Sequence, residues 1–269
     1  MELSIIITNY RNPELLKLCL DSVRKYAKGL AYELIVADSA TQEDTEMMMR
    51  EEYGDVKFFP FAANVGFQAL IKKGIEESTG KYLLLLNGDI IVIPNSIEKM
   101  LTFIKSDDTV GMVGPKLLNF DGSLQYSCSR FYHPVTIIYR RTFLGHFAFA
   151  QKHLDWFLMK DRNHDLTMDV DWLMGSSLMI TRSAVEKVGL MDPGYFMYME
   201  DVDWCRRFWE NRYRVVYYPA AVMHHYHGRG SAKGGVIRSL LLNRLTWVHI
   251  FSAIRYFKKF WNKPIPKHS

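Results

Sequence analysis

The sequence predicts an α/β fold in which a mostly parallel, Rossmann-like sheet is flanked by helices. Strand-like and helix-like segments alternate through the first ninety residues, and this alternation is typical of βαβ units. The strand-like segments are continuous apolar runs, as expected for strands that are buried on both faces. Two of these runs end in polar groups, at Asp38 and at Asn87-Gly88-Asp89, at the strand ends where such sheets bind ligands.

The first half of the chain supplies most of the predicted elements. Asn12 followed by Pro13 is a helix start, because Asn caps a helix and Pro fits its first position. Leu16, Leu20 and Val23 then follow at helical spacing. Strands are predicted at 3–8, 33–38, 56–61, 82–86 and 111–117, and further helices at 41–53, 67–78 and 95–104.

Beyond residue 118 the pattern weakens. Residues 120–170 are rich in aromatic residues and His without a clean period, so no secondary structure is assigned to them. A strand is predicted at 177–181, with Ser183 capping a short helix. A helix at 203–211 and a strand at 214–218 follow.

Composition excludes several classes of protein. Apolar residues make up 48% of the chain and charged residues 23%, which excludes a disordered or fibrous protein. Three scattered cysteines are too few for a disulfide framework. The start of the chain lacks the basic region of a secretory signal, and no uncharged apolar run reaches the roughly 18 residues of a spanning helix. We therefore expect the protein to act on the cytosolic side.

Charge is unevenly distributed along the chain. Residues 1–210 hold 23 Lys and Arg against 29 Asp and Glu. Residues 211–269 hold 11 Lys and Arg and no Asp or Glu. A basic tail on an acidic body indicates an anionic contact, with diphosphate, phospholipid and nucleic acid as candidates. Residues 236–261 mix aromatic and cationic side chains, which is typical of a segment at an anionic lipid surface. Packing of this helix on the rest of the protein is the alternative, and both can hold at once.

Acidic residues are the first candidates for chemistry. Glu200, Asp201 and Asp203 lie together among large apolar side chains, a setting that raises the pKa of one acid and suits a general base. An acidic first turn of the following helix explains the same residues equally well. Asp89 can hold a divalent cation against a diphosphate, although an Asp after a strand is more often a turn former or helix cap.

A histidine cluster and a glycine-rich loop follow the last predicted strand. His224 and His225 are consecutive on an extended segment, so they point in opposite directions, and His227 follows them. No zinc motif accompanies them, and both a lone metal-ligating His and a pH-sensitive surface cluster stay open. The loop Gly228–Gly235 is basic; it either approaches phosphate through its amides or is a plain linker.

Seven segments occur in an order typical of one known family. They are SIIITNY (4–10), ELIVADS (33–39), NVGF (64–67), LLLLNGD (83–89), VDW with Gly175 (170–175), DPGYFMYMEDVD (192–203) and 218–225. Through them the chain, from about residue 3 to about 232, resembles glycosyltransferase family 2, which has the GT-A fold. Within that family it most resembles bacterial rhamnosyltransferases of surface polysaccharide synthesis, such as that of O-antigen lipopolysaccharide, capsule and cell wall.

The resemblance implies an inverting, metal-dependent transfer of a sugar. The donor would be a dTDP- or UDP-linked sugar, with dTDP-rhamnose as the best guess, and the cofactor Mg²⁺ or Mn²⁺. The acceptor would be a hydroxyl of a glycan or a polyprenyl-diphosphate-linked sugar. The family also implies a peripheral location on the cytoplasmic face of the bacterial inner membrane, with an anionic membrane surface and no nucleic acid as partner.

The resemblance also implies an organisation into functional parts. Residues 1–232 would form the GT-A domain, with a nucleotide-sugar-binding half at 1–118 and an acceptor and catalytic half at 119–232. Residues 233–269 would form a basic aromatic C-terminal helix.

Site residues are implied at the positions that match the family motifs. Asp89 and His225 match metal-binding positions, with His224 as the competing choice, and Asp201 matches the catalytic base within an acidic pair with Glu200. Donor-binding residues are implied at Thr8, Tyr10, Asp38, Asn64, Gly66, Asn87, Asp171 and Gly175. Gly88 replaces a more usual proline and is expected to loosen its turn. The family pattern is also not followed at Arg11, Gln68 and Lys72, so the identity of the donor sugar stays open.

Three other functions compete with this one. The acidic body and the absence of a nucleic-acid-binding module disfavour a nucleic-acid binder that uses the basic tail. A sugar nucleotidyltransferase needs a glycine-rich N-terminal loop, and residues 8–12 contain no glycine. An inactive binding subunit with the same fold would have no need of Asp89, Asp201 and His225. We therefore expect an active glycosyltransferase.

Overall fold

The computed structural model describes residues 1–226 and 244–266, with the backbone alone at Arg244 and Leu245. Its strands are β1 (Leu3–Tyr10), β2 (Tyr32–Ser39), β3 (Lys57–Phe61), β4 (Tyr82–Asn87), β5 (Ile90–Val92), β6 (Val110–Leu118), β7 (Leu124–Gln125), β8 (Cys128–Ser129), β9 (Met168–Asp169), β10 (Trp172–Leu173), β11 (Ser177–Thr181) and β12 (Arg214–His225). Its helices are α1 (Pro13–Tyr26), α2 (Glu43–Glu52), α3 (Phe67–Glu76), α4 (Ser96–Lys105), α5 (Pro134–Arg141), α6 (Ala148–Phe157), α7 (Arg182–Val188), α8 (Glu200–Glu210) and α9 (Arg244–Lys259).

The main sheet is mostly parallel, which confirms the predicted fold class. Its strands follow the order β3-β2-β1-β4-β11-β6-β12-β5, with β7 and β9 at its margins. β1 pairs in parallel with β2 and β4, and β6 pairs in parallel with β12. β11 enters between β4 and β6 and is antiparallel to both. The N-terminal βαβ units are thereby joined directly to the second half of the chain.

Both faces of the sheet are buried. Ile5 and Ile7 belong to one apolar core, and Ile6 belongs to the other. Leu84 and Leu83 divide between the two cores in the same way. Side chains alternate across a strand, so a continuous apolar run fills a core on each side.

The helix starts follow from local side chains. The Asn12 side chain accepts a hydrogen bond from the backbone N–H of Leu15 at 3.2 Å, which confirms the predicted cap of α1. The prediction for α7 was wrong by two residues. Its cap is Thr181, whose hydroxyl accepts from the N–H of Ala184 at 3.2 Å, rather than Ser183.

Residues 120–170 contain ordered elements that the sequence pattern did not predict. Strands β7 to β9 and helices α5 and α6 lie here, with a 3₁₀ turn at Phe143–His146 between the two helices. Several large apolar side chains of this region are exposed, among them Val135, Ile138, Phe143, Phe147 and Phe149. Because apolar residues lie on both the buried and the exposed sides, no helical period shows in the sequence.

Helix α9 packs on the rest of the molecule along one face. Its buried side chains are Thr246, His249, Ser252, Ala253 and Tyr256, and Phe260 follows just after the helix. A second set, which we call the exposed stripe, consists of Trp247, Phe251, Ile254 and Trp261. The packing alternative for the tail is therefore confirmed, while residues 236–243 and the loop Gly228–Gly235 lie outside the described residues. In the ranges 1–226 and 244–266, no helix combines the length and apolar character that crossing a membrane requires.

Candidate active site

A cleft of about 460 Å³ opens at the carboxyl ends of β1 and β4. Most of its lining comes from the last residues of these two strands, from the segments that follow them and from the turn before α3. The lining includes six of the residues expected from the sequence: Thr8, Tyr10, Asn64, Gly66, Asn87 and Asp89. This is the edge at which a parallel sheet binds its ligands.

Hydrogen bonds between β1 and the turn after β4 shape the floor of the cleft. The hydroxyl of Thr8 donates to Oδ1 of Asn87 at 3.2 Å, and the N–H of Gly88 donates to the carbonyl of Thr8 at 2.8 Å. A proline at this position has no N–H to donate. A Cβ on Gly88 would lie 2.9 Å from Oδ1 of Asn9. The hydrogen bond from Gly88 therefore holds the turn in place. Glycine at this position was expected from the sequence to loosen the turn.

The turn before α3 closes a second side of the cleft. Oδ1 of Asn64 accepts a hydrogen bond from the N–H of Gly66 at 3.1 Å. Gly66 has a φ of +83°, and a Cβ there would lie 2.6 Å from the carbonyl oxygen of Phe196. Only glycine permits this close approach. It brings the segment before α8 against the cleft, where Met197 joins the lining.

Asp38 lies beneath the cleft and is not part of its lining. The carboxyl is fully buried, and Nδ2 of Asn9 donates to its Oδ1 at 2.8 Å. Burial raises the pKa of Asp38. Its other oxygen, Oδ2, has no hydrogen-bond partner among the described residues. Contact of Asp38 with a nucleotide stays a prediction.

Asp89 and His225 meet at one end of the cleft. β12 pairs with β5 so that His225 is opposite Ile90, and the N–H of Tyr226 donates to the carbonyl of Asp89 at 2.9 Å. Nε2 of His225 consequently lies 3.3 Å from Oδ1 of Asp89. His224 points the other way, with Nδ1 3.3 Å from the carbonyl of Asn119. The geometry thus favours His225 over His224 as the residue beside Asp89.

The pair formed by Asp89 and His225 fits a divalent cation. Oδ1 of Asp89 is buried and has no hydrogen-bond partner in the described structure. Nδ1 of His225 lies 2.6 Å from Oε1 of Gln125; a proton on Nδ1 leaves Nε2 with a lone pair facing Asp89. A carboxylate oxygen is a ligand that both Mg²⁺ and Mn²⁺ take, whereas an imidazole nitrogen favours a transition-metal ion over Mg²⁺. No third His, Cys, Asp or Glu joins them within residues 1–226 and 244–266.

The acidic pair begins α8. Tyr198 and Met199, just before it, both have a φ of +68°, a conformation that costs free energy for residues other than glycine. Burial raises the pKa of Asp201 to about 6, against the hydrogen bond that the N–H of Gly175 donates to its Oδ2 at 3.1 Å. Burial, and then the charge of Asp201, raise the pKa of Glu200 well above its usual range. These acids therefore form a first helical turn and are also desolvated, and the role of Asp201 as a general base stays a prediction.

The hydrogen-bond ladder between β4 and β11 connects the two acidic centres. The N–H of Asn87 donates to the carbonyl of Ser176 at 2.9 Å, and Leu86 is paired with Ser177. Gly175, which binds Asp201, directly precedes Ser176. A Cβ on Gly175 would lie 3.1 Å from the ring of Phe67, which lines the cleft. Asp89 lines the cleft, whereas Asp201, on α8, lies outside its lining and is linked to it through Gly175 and Phe67.

Asp171 lies apart from the cleft lining. It follows β9, and its Oδ2 accepts a hydrogen bond from the N–H of Phe131 at 2.6 Å. This contact orders the segment that precedes α5. Donor binding by Asp171 stays a prediction.

Three residues with clear roles in the geometry were not among the expected site residues. Asn9 holds Asp38, Gln125 orients His225, and Met197 lines the cleft. Asn9 adjoins the end of a strand-like run, a signal that could have identified it. Gln125 and Met197 are brought to the site only by the fold.

Solved structures define the class to which this fold belongs. GalNAc-T7 with UDP, GalNAc and Mn²⁺ aligns with a TM-score of 0.67 and 17% identity over 98% of this chain and 48% of that one. The chain thus spans about half the length of that protein. Residues 1–349 of S. aureus TarS align with a TM-score of 0.57 and 11% identity over 84% of this chain and 60% of that one. The fold is of the GT-A type found in glycosyltransferases.

The family follows from the sequence profile described as glycosyl transferase family 2, which matches residues 4–206. The chain belongs to this family and is a glycosyltransferase. An N-acetylglucosaminyl-diphospho-decaprenol L-rhamnosyltransferase of Mycobacterium tuberculosis is 28% identical over 86% of this chain and 78% of its own length. Rhamnosyltransferase WbbL of Escherichia coli K12 is 26% identical over 95% of this chain and 92% of its own.

Proposed function

We propose that this protein is an inverting, metal-dependent hexosyltransferase of surface polysaccharide synthesis. It transfers a sugar to a hydroxyl of a polyprenyl-diphosphate-linked acceptor. The donor that we propose first is dTDP-rhamnose, which supplies rhamnose. The names of the two rhamnosyltransferase relatives, one of which specifies a diphospho-decaprenol acceptor, support this choice. The observation that supports the proposal is that Asp89, beside His225, lines the cleft, while Asp201 is bound by Gly175, which packs next to Phe67 in the same lining.

Asp201 acts as the general base. With a pKa of about 6 it is ionised at neutral pH yet basic enough to accept a proton. It removes the proton of the acceptor hydroxyl while that oxygen forms a bond to the anomeric carbon. The bond from this carbon to the diphosphate breaks on the opposite face, which inverts the configuration. Burial and the charge of Asp201 raise the pKa of Glu200 as well, so the two adjacent carboxyls disfavour carrying two charges at once.

Asp89 and His225 hold the metal ion against the donor diphosphate. When bound, Mg²⁺ or Mn²⁺ neutralises the charge that develops on the departing nucleoside diphosphate. Gln125 fixes the His225 ring so that Nε2 faces the ion site. Asp89 and His225 would hold such an ion, and the phosphate oxygens of the donor would be its other partners.

The donor nucleoside occupies the cleft between β1 and the turn before α3. Thr8, Asn64 and Asn87 supply polar atoms there, and the half-exposed Tyr10 offers a ring at the mouth. Asp38 and Asp171 belong to the proposal through the family resemblance alone. The division into halves at 1–118 and 119–232, with a tail from 233, is kept as part of the same proposal.

The exposed stripe on α9 supports a peripheral position on the cytoplasmic face of a bacterial inner membrane. Trp247, Phe251, Ile254 and Trp261 are each 45% exposed or more. Arg255 and Lys258 are exposed next to them. Aromatic and aliphatic side chains beside cations favour the interface of an anionic bilayer.

The test uses the full-length protein with a panel of nucleotide sugars, with and without Mn²⁺. We expect one donor, dTDP-rhamnose first among them, to raise the melting temperature in a metal-dependent manner. With a prenyl-diphosphate-linked sugar as acceptor, we expect release of nucleoside diphosphate. Release of pyrophosphate would identify a sugar nucleotidyltransferase. Donor binding without transfer to any acceptor would favour an inactive binding subunit.

A further inference from the structure

Two adjacent arginines at the end of α5, Arg140 and Arg141, form no direct ion pair with a carboxylate of the described residues. Arg140 donates to the hydroxyl of Tyr132, and its guanidinium lies 5.7 Å from the ring centres of Tyr132 and Phe157. Nε of Arg141 donates to Nδ1 of His249 on α9 at 2.9 Å. Within residues 1–226 and 244–266 no carboxylate lies within 4 Å of either guanidinium, and the sequence has no Asp or Glu after Glu210.

The partner of Arg141 is itself neutral. His249 is buried, and burial together with the charges of Arg141 and Arg140 lowers its pKa to about 3. Arg141 is partly buried, and burial and the neighbouring Arg140 lower its own pKa. A partly buried cation is ordinarily paired with an acid, because desolvation is costly without one. This arginine pair is thus preorganised for an anion that the chain does not supply.

The arginine pair lies on the α8 side of the cleft. Burial raises the pKa of Asp201, and the charge of Arg140 acts on it in the opposite direction. The ring of His249, to which Arg141 is bound, packs against Tyr198 at 4.9 Å between ring centres, three residues from Asp201. The donor diphosphate belongs at the other centre, with Asp89 and His225. A second anion beside the base is therefore part of the acceptor.

The surface around the arginine pair is apolar and exposed. Val135 and Ile138 lie on α5 itself and are 42% and 45% exposed. Phe143, Phe147 and Phe149 follow within the next turns of chain and are 49% to 64% exposed. Basic groups beside an exposed apolar surface match a diphosphate joined to a hydrocarbon chain.

We propose that Arg140 and Arg141 bind the diphosphate of a prenyl-diphosphate-linked acceptor, and that the exposed apolar residues of α5 and the segment after it hold its first isoprene units. This inference rests on the proposed function, because it names the residues that recognise the acceptor. Binding there places the sugar of the acceptor next to Asp201. Arg140 and Arg141 are positioning and binding residues and take no part in the transfer of the proton.

Farnesyl diphosphate, without any donor, is the probe for this site. Calorimetry on the full-length protein should show binding that the variant Arg140→Gln/Arg141→Gln weakens by tenfold or more, since it loses two charge-assisted contacts. The control Arg50→Gln/Arg162→Gln removes two exposed arginines, 75% and 61% exposed, and should bind as wild type. Removal of an unpaired, partly buried charge should leave the melting temperature of Arg141→Gln at or above that of wild type. The single variant Arg140→Gln is also tested for farnesyl diphosphate binding by calorimetry. Because Arg140 is exposed, this substitution is not expected to disturb folding.

Further ligands test whether both the diphosphate and the hydrocarbon chain are recognised, and whether another anion binds instead. Farnesyl diphosphate should bind at least tenfold more tightly than inorganic pyrophosphate or farnesol, and binding of dTDP with Mn²⁺ should be unchanged in the double variant. Unchanged farnesyl diphosphate binding in that variant would overturn the inference. The inference would also be overturned if the double variant lost binding only to phosphatidylglycerol vesicles or only to dTDP. Absence of transfer with arginine-dependent binding intact would count against the proposed function and leave this site standing.

Discussion

Nε2 of His225 lies 3.3 Å from Oδ1 of Asp89, and Nδ1 of the same ring lies 2.6 Å from Oε1 of Gln125. The imidazole is buried between the end of β12 and the turn after β4. His224, one residue earlier, faces Asn119 instead. The two histidines therefore form a matched pair in which one ring faces the proposed metal centre and the other does not.

The first prediction uses this pair. His225→Gln should weaken the affinity of dTDP in the presence of Mn²⁺ by tenfold or more, because one of two protein ligands is lost. His224→Gln should leave that affinity close to wild type. Titration calorimetry with and without Mn²⁺ measures both. Equal effects of the two substitutions would contradict the assignment of His225.

The second prediction concerns the base. Asp201→Asn should lower the rate of transfer by about 10²- to 10⁴-fold, because positioned base catalysis contributes on that order. Donor affinity should change little. Glu210→Gln, at the other end of α8 and half-exposed in an ion pair with Arg206, is the matched control. Turnover near wild type in Asp201→Asn would remove Asp201 from the base role.

The third prediction is a pH dependence. Below a pH of about 6 the Asp201 carboxylate becomes protonated, so kcat/KM should fall about tenfold per pH unit on the acid side. A carboxyl pKa that folding raises favours folding fully below its ordinary value of 3.8, and this contribution is lost as pH rises through about 6. Asp201→Asn should consequently raise the melting temperature more at pH 8 than at pH 5. Scanning fluorimetry at the two pH values checks this, and an equal shift at both would argue against a buried, titrating Asp201.

The fourth prediction concerns the exposed stripe. Trp247→Ser/Phe251→Ser/Ile254→Ser should reduce flotation with phosphatidylglycerol vesicles at least several-fold, because three apolar side chains are removed from one surface. Leu18→Ser/Met47→Ser is the control, since both residues are exposed, at 51% and 47%, on α1 and α2. Equal flotation of both variants and wild type would place the membrane contact elsewhere.

The fifth prediction concerns the attachment of α9. The Asp203 carboxyl is fully buried and lies 2.6 Å from Nζ of Lys259 and 2.7 Å from Nε of Arg207. Lys259→Met should lower the free energy of unfolding by about 1–3 kcal/mol, because a buried carboxylate loses one of its partners. Lys258→Met, at the adjacent exposed position, should have almost no effect. Urea unfolding measures both, and equal values would show that the Lys259 pair is not stabilising.

The N-terminal half could be predicted closely from the sequence. Ile5 to Ile7 and Leu83 to Leu86 are apolar without interruption, and both strands are buried on two faces. Polar residues at the ends of those runs, Thr8, Asn87 and Asp89, line the cleft as expected. These predictions succeed because strand burial and the position of a ligand at a strand end are both set locally.

The second half depends on contacts that local pattern does not encode. Helix α5 has neutral partners for its arginines, and one of them, His249, is 108 residues away. The apolar residues of α9 divide between a buried face and the exposed stripe, so the sequence shows no single amphipathic period. The pairing of β11 with β4 is antiparallel and spans about 90 residues. None of these relationships has a signature in a short window of sequence.

The ladder between β4 and β11 has a consequence for how the substrate preference of such an enzyme can change. The spacing between the proposed base and the proposed metal centre depends on strand register, with Leu86 opposite Ser177. A one-residue deletion in β11 would turn every side chain to the other face and separate the centres. Exchanges at Thr8, Tyr10 or Asn64 leave that register untouched. Substitutions in the cleft can therefore change which sugar is accepted, while the distance between the proposed base and the proposed metal centre is conserved.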